Sequence, residues 1–201
     1  MFKNCVLYLI GFQGVGKLSI AREICQQADF RLIDNHAINN LVFPFVRIDG
    51  KTKFTNEIWD PIIKIRDIVL DTMARIGNRE FNFVFTNVLY EGLLGDLKAY
   101  NSLEQAVQKR EGCFIPVRVL CEENEHRRRI ANPEREINMK DTNHAKVAEL
   151  HQEYETFKPV HPHTIMIDVT HLSAVDAASA ILKQAKDIFA ASETSERTLL
   201  G

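Results

Sequence analysis

Apolar positions change their spacing repeatedly along this chain, and each change of period marks an element. Cys5 to Ile10 is a continuous apolar run, the pattern of a strand covered on both faces. From Lys17 to Ala28 the period lengthens, and Ile20, Ala21, Ile24, Cys25 and Ala28 fall on one face of a helix. A second strand is predicted over Phe30–Ile33, ending in Asp34-Asn35-His36. Ala37 to Phe45 reads as a short helix stopped at Pro44, with an exposed loop around Asp49-Gly50. Ile58, Ile62, Ile65, Val69 and Met73 define a long amphipathic helix from Glu57 to Ile76, closed by Gly77. Phe81 to Leu89 is the third strand. Ser102-Leu-Glu-Gln105 has the form of a capping box opening a helix that stops at Gly112. Phe114 to Cys121 is the fourth strand, followed by a basic segment from Glu125 to Lys140 and a polar helix from about Asn143 to Phe157. Thr164 to Asp168 is the fifth strand. A last helix from Ser173 to about Ala190 leaves residues 191–201 as a frayed tail.

Strands that alternate with helices imply a parallel sheet with helices on both faces and right-handed crossovers. Ligands of such sheets bind beyond the carboxyl ends of the strands. Gly11–Ser19, Asp34–His36, Thr86–Asn87, the segment after Glu122 and the segment after Asp168 should therefore share one rim. A length of 201 residues suits one such domain over residues 1–190 and is too short for two.

Composition narrows the partners. A formal charge of −2 and a pI near 6.4 argue against a dedicated nucleic-acid binder. Cys5, Cys25, Cys113 and Cys121 show no C-x-x-C pair and no metal-ligand spacing, so they read as buried thiols in a reducing compartment. The first apolar run is too short for a secretion signal and lacks a cleavage site. No stretch approaches the ~18 apolar residues of a membrane span. The expectation is a cytoplasmic protein, monomeric or homodimeric, with no membrane or nucleic-acid partner.

The candidate chemistry begins at Gly11. The pattern G-x-x-x-x-G-K is met by Gly11, Gly16 and Lys17, with Gly14 inside it. Between an apolar strand and an amphipathic helix, this pattern makes a P-loop. Its glycines admit positive φ, so that backbone N–H groups of Gly14, Val15, Gly16 and the residues after them converge on phosphates. The helix N-terminus adds its dipole and Lys17 adds a full charge. One position departs: Leu18 stands where a Ser or Thr hydroxyl would meet Mg²⁺. Ser19 follows, turned by about 100° on the helix. Either Ser19 is re-aimed, or the metal is held through water by other groups, or transfer is impaired.

GTP-binding switches need Asn-Lys-x-Asp and Asp-x-x-Gly, and neither occurs. Motor-type ATPases carry an acid at the end of the strand beside the P-loop strand; here Phe83-Val-Phe-Thr-Asn-Val-Leu89 reaches no acid until Glu91. Over residues 3–190 the chain resembles the small P-loop kinases, the group of shikimate, gluconate, adenylate and chloramphenicol kinases. It is similar above all to uncharacterised members, labelled shikimate kinase-like or AAA-type ATPases, whose P-loop reads G-x-x-G-x-G-K-L-[ST] and whose second strand is followed by Asn-His. In that group Leu18 is a family variant.

The resemblance implies a three-layer α/β P-loop fold with sheet order 2-3-1-4-5, an Arg-rich lid over residues 124–142, ATP and Mg²⁺ as cofactors, and transfer to a small-molecule acceptor. Lys17 would bridge the β- and γ-phosphates. Arg129 would stack on adenine, and Arg135 would close onto the transferring phosphate. The plain alternative pairs Arg127, Arg128 and Arg129 with Glu122, Glu123 and Glu125 on a solvated helix face. Asp34 would act as general base or outer-shell metal partner, or cap the next helix. Ser19 and Asp34 are thus the candidate metal residues. Asn35, His36, Arg66 and Asn87 would line the acceptor pocket. His161-Pro-His163 reads as loop. Two other functions stay open: a nucleoside monophosphate kinase using Arg47, Lys51, Lys53 and Arg66, and a nucleotide-binding protein without efficient transfer.

Overall fold

The computed structural model describes residues 1–46, 55–131 and 146–199. Five parallel strands form one sheet in the order β2-β3-β1-β4-β5: β1 Cys5–Ile10, β2 Phe30–Asp34, β3 Asn82–Asn87, β4 Cys113–Leu120 and β5 Ile165–Asp168. The helices are α1 Lys17–Gln27, α2 Asn35–Asn39, α3 Asn56–Arg75, α4 Leu94–Lys109, α5 Glu123–Ile130, α6 Lys146–Glu153 and α7 Ala174–Leu199. The sheet order agrees with the order that the resemblance implied.

Strand β1 is central, hydrogen-bonded to β3 on one side and β4 on the other. Every one of its residues is buried, which explains a run without polar alternation. Cys5, Leu7 and Leu9 face a layer built on Ile20, Ile24, Ala177 and Ile181 of α1 and α7. Val6, Tyr8 and Ile10 face Leu70 and Met73 of α3 and Tyr100, Leu103 and Val107 of α4. Each fully buried aliphatic side chain contributes about 1.5–3 kcal/mol, so the two layers fix both the register and the direction of β1. All four cysteines are free.

The sheet's N-terminal edge is held by polar groups. Asn82 accepts from the Cys5 amide at 3.0 Å and donates to the Phe2 and Asp29 carbonyls. Arg110, fully buried at the end of α4, donates to Asn4 Oδ1 at 2.6 Å and to the carbonyls of Asn78 and Phe81.

Several element boundaries differ from the sequence expectation: the polar helix expected to reach Phe157 ends at Glu153, and Thr156 instead forms a bridge with Tyr90. Helix α4 begins at Leu94, so Ser102–Gln105 lies inside it. Ser102 can start nothing there, because Tyr100, Leu103, Ala106 and Val107 continue one buried stripe through it. The expected Ala37–Phe45 helix is divided into α2 and a 3₁₀ turn over Phe43–Phe45. Pro44 sits in the first turn of that 3₁₀ element, where its missing N–H costs nothing, so it opens the turn. Helix α7 runs on past Ala190 to Leu199. The Asp49-Gly50 loop lies outside the described residues. Among the described residues, no helix is long and apolar enough to cross a membrane.

Candidate functional site

The carboxyl ends of β1, β2 and β3, the start of α1, and the segments after β4 and β5 enclose a cleft of about 450 Å³. That volume is within the range of small-molecule sites. Its floor is the loop between β1 and α1. Gly14 has φ 91° and Gly16 φ 105°, conformations that side chains other than glycine resist. Gly11 is required for a different reason: a Cβ there would lie 2.5 Å from the Val119 carbonyl oxygen of β4. Gly11→Ala is therefore expected to cost about 1–3 kcal/mol of stability, read as a lower midpoint in urea unfolding. Val15 is buried behind the loop.

Helix α1 opens on this cleft with no side-chain cap bond and no acid in its first turn. Its leading amides and positive dipole end are thus offered to an anion. The Lys17 side chain folds back over the loop, and its Nζ donates to the carbonyls of Gly11 at 2.8 Å and Phe12 at 2.7 Å. Leu18 is half-buried and Ser19 exposed, and both line the cleft.

Across from the loop stand Asp34, Asn35, His36 and Asn87. Asp34 precedes α2 but its side chain makes no capping bond. Its carboxylate instead accepts from the Thr86 hydroxyl of the neighbouring strand, whose oxygen takes the Asn35 amide at 3.4 Å. Parallel pairing of Asp34 with Thr86 brings these groups together. His36 Nδ1 lies 3.7 Å from the other Asp34 oxygen. Arg66 donates to Asn35 Oδ1 at 3.1 Å and lines a small adjoining pocket with Tyr8 and Asn87. Asn87 donates to Tyr8 Oη at 2.9 Å and accepts from the Val88 amide. Burial pushes the Tyr8 phenol up to about 12, against the opposing pull of that bond and of Arg66.

The described part of the basic segment, up to residue 131, is organised by ion pairs at helical spacing; the rest of the expected lid lies outside the described residues. Arg127 pairs with Glu123, and Arg128 and Arg129 both pair with Glu125. Hydrogen bonds from Arg128 and then Arg129 hold the Glu125 carboxyl down at about 2. Arg129 does more: Nη1 donates to the Val15 carbonyl at 2.8 Å and Nη2 to Val169 at 2.7 Å. It ties the β1–α1 loop to α5 and to the segment after β5 while lining the cleft. Arg135, Arg47, Lys51 and Lys53 lie outside the described residues.

Sequence reasoning missed His126 and His151. His126 is fully buried among the arginines of α5; it touches the Gln13 carbonyl at 2.6 Å and His151 at 2.8 Å. No spacing rule links residues this far apart in the chain, so neither stood out from its surroundings. The Thr86 bond to Asp34 was hidden in the same way by strand pairing.

No protein-family model and no curated protein matches this chain. Solved structures do. A sugar kinase from Janibacter sp. superposes with a TM-score of 0.60 at 12% identity, over 91% of this chain and 95% of its own. A gluconokinase from Sinorhizobium meliloti gives 0.59 at 12% identity, over 94% and 98%. A shikimate kinase from Acinetobacter baumannii, solved with shikimate, gives 0.56 at 17% identity, over 90% and 93%. With its sheet order and its P-loop, the chain has the fold of the small P-loop kinases.

Proposed function

We propose that this protein binds ATP at the P-loop and transfers its γ-phosphoryl group to a hydroxyl of a small-molecule acceptor. The observation that carries the reading is the placement of the Asp34–Thr86 pair opposite the phosphate loop in one cleft. Phosphoryl transfer asks for positioning and charge neutralisation. The α1 N-terminus and Lys17 supply the positive side; on nucleotide binding Lys17 leaves the Gly11 and Phe12 carbonyls for phosphate oxygens. Asp34 orients the acceptor hydroxyl and takes its proton as the new bond forms. Arg66 and Asn35, already joined, present a polar edge to the rest of the acceptor.

Among the described residues, no group of three His, Cys, Asp or Glu is placed to hold a metal by itself. Mg²⁺ tolerates this, because it keeps several waters and rides on the phosphates. Ser19 and Asp34 offer the hard oxygen donors that suit it, with Asp34 acting through water. When bound it would neutralise charge on the phosphates.

The test is ADP release against a panel of hydroxyl compounds, including gluconate and shikimate, with and without Mg²⁺. Acceptor-stimulated, Mg²⁺-dependent release supports the kinase. Tight ATP binding without it favours a second reading, a nucleotide-binding protein without efficient transfer, which rests on the apolar Leu18 in the cleft. Asp34→Asn keeps an acceptor for Thr86 but removes the charge. It is expected to lower turnover by about 100-fold or more while ADP affinity, read by calorimetry without Mg²⁺, stays unchanged.

A further inference from the structure

Beneath the phosphate loop lies a pair of histidines that the transfer chemistry does not use. The His126 ring stacks on Phe12 at 5.9 Å with 6° between planes, and the His151 ring lies 4.8 Å from the same Phe12. His126 Nε2 meets the Gln13 carbonyl oxygen at 2.6 Å, and its Nδ1 meets His151 Nε2 at 2.8 Å.

The carbonyl can only accept, so His126 carries a proton on Nε2. In the neutral pair its Nδ1 then accepts from His151 Nε2–H, which leaves His151 Nδ1 to take a further proton. One added proton preserves both bonds, whichever ring holds the charge. A second would set two N–H groups against each other. The pair therefore titrates as a unit.

The Gln13–Gly14 peptide is trans, since the described chain has no cis bond. Its C=O and N–H point in opposite directions. With the carbonyl held by His126 below, the Gly14 N–H is turned away from His126, and Gly14 lines the cleft. An imidazolium under that carbonyl polarises the peptide and makes the Gly14 N–H a stronger donor to an anion.

Resting on the nucleotide-binding reading above, we infer that His126 positions the phosphate loop through the Gln13 carbonyl. With His151 it makes nucleotide binding proton-linked, the pair taking up a proton as phosphate binds. Charged and titratable neighbours reach the pair from several elements. Glu123 and Arg127 of α5 act on His151 in opposite directions, and burial outweighs both, pushing His151 below the ordinary imidazole range. Lys17 bonds the Phe12 carbonyl. Tyr90 bonds the Gln13 side chain at 3.0 Å, with Tyr154 against its ring; burial keeps Tyr90 neutral.

The sign follows from linkage. Nucleotide favours the charged pair, so its affinity rises as pH falls through the range where the free pair begins to protonate, at and below the usual imidazole value of about 6.5. The probe is ADP, titrated by calorimetry from pH 5.5 to 8 into the wild-type chain, His151→Gln and His126→Gln. ADP's own ionisation is common to all three. Between pH 8 and pH 6 the wild type should gain about fivefold in affinity relative to His151→Gln. It should also take up more protons, read from buffers of different ionisation enthalpy. His126→Gln retains a donor for Gln13 and should lose the pH dependence of affinity, whatever its affinity at pH 8. Imidazole NMR of the nucleotide-free wild type should show one shared step for His126 and His151. Parallel pH profiles in all three proteins, or two independent imidazole steps, would overturn the linkage with nucleotide binding intact. Failure of the wild type to bind ADP would overturn the nucleotide reading instead.

Discussion

Replacing Lys17 with methionine is expected to weaken ATP binding by about 100-fold or more and to abolish any acceptor-dependent turnover. The effect is large because the side chain enters a protected site: Lys17 is only 8% exposed, and its ammonium already lies over the loop that would hold the phosphates. A charge in such a place is poorly screened, so its attraction for phosphate exceeds that of a surface lysine. Methionine keeps the aliphatic stem against its neighbours while removing the charge. The buried Gly11 and Phe12 carbonyls lose their charged donor, a cost of about 1–3 kcal/mol, and the melting temperature should fall by several degrees. Calorimetric titration with ADP and ATP, paired with a thermal melt, checks both halves. Unchanged affinity in a folded variant would remove the phosphate-binding reading and every proposal that depends on it.

The second large effect should appear at the opposite end of the sheet and spare the cleft. Arg110→Met is expected to cost about 3–5 kcal/mol of folding stability, measured by urea unfolding, while the ADP affinity of the folded protein stays the same. Arg110 has no exposed surface and serves acceptors from three separate segments. Asn4 precedes β1, Met73 lies in α3, and Asn78 and Phe81 lie between α3 and β3. Its guanidinium also sits 5.0 Å from the Phe83 ring. Desolvation lowers its basicity, and the nearby Arg79 charge adds to this; the folded state accepts that cost because several carbonyls need donors. Methionine fills much of the volume but removes the guanidinium donors from those oxygens; the Asn78 carbonyl keeps only its bond from the Phe81 amide. Asn4 belongs to the same knot: it takes an αL conformation at φ 56° and its amide bonds the Arg110 and Glu111 carbonyls. Asn4→Ala combined with Arg110→Met should therefore cost less than the sum of the two single changes.

Much of the fold was legible because the chain is locally consistent. The β1 run, the turn of glycines and the amphipathic α1 follow one another with no ambiguity of period, and each stands where it was expected. Boundaries failed where two signals competed. At Ser102 a capping box lost to a longer apolar stripe, and at Pro44 a stop signal acted as a start. The backbone of the loop from Gly11 to Lys17 was legible as well, since the positive φ at Gly14 and Gly16 is set by consecutive residues at fixed spacing.

The rest of the cleft is made by residues that meet only in the folded chain. Asp34 was visible as an acid at a strand end, but its partner Thr86 is brought beside it by the β2–β3 register. Arg127, Arg128 and Arg129 looked alike in sequence. In the structure the first two pair on the helix surface, while Arg129 reaches the Val15 and Val169 carbonyls. That difference is set by which way the last turn of α5 faces, and composition carries no trace of it.

By itself, then, the sequence determined the alternation of strands and helices, the buried centre of the sheet and the glycine-bearing loop from Gly11 to Lys17. All of these depend on periodicity and on backbone conformations that neighbouring residues dictate. Only the tertiary structure decided that Arg129 clamps the loop, that Thr86 holds Asp34, and that His126 and His151 lie beneath Gln13. These contacts join segments far apart in the chain, and their geometry is fixed by packing across the sheet, which no local pattern records.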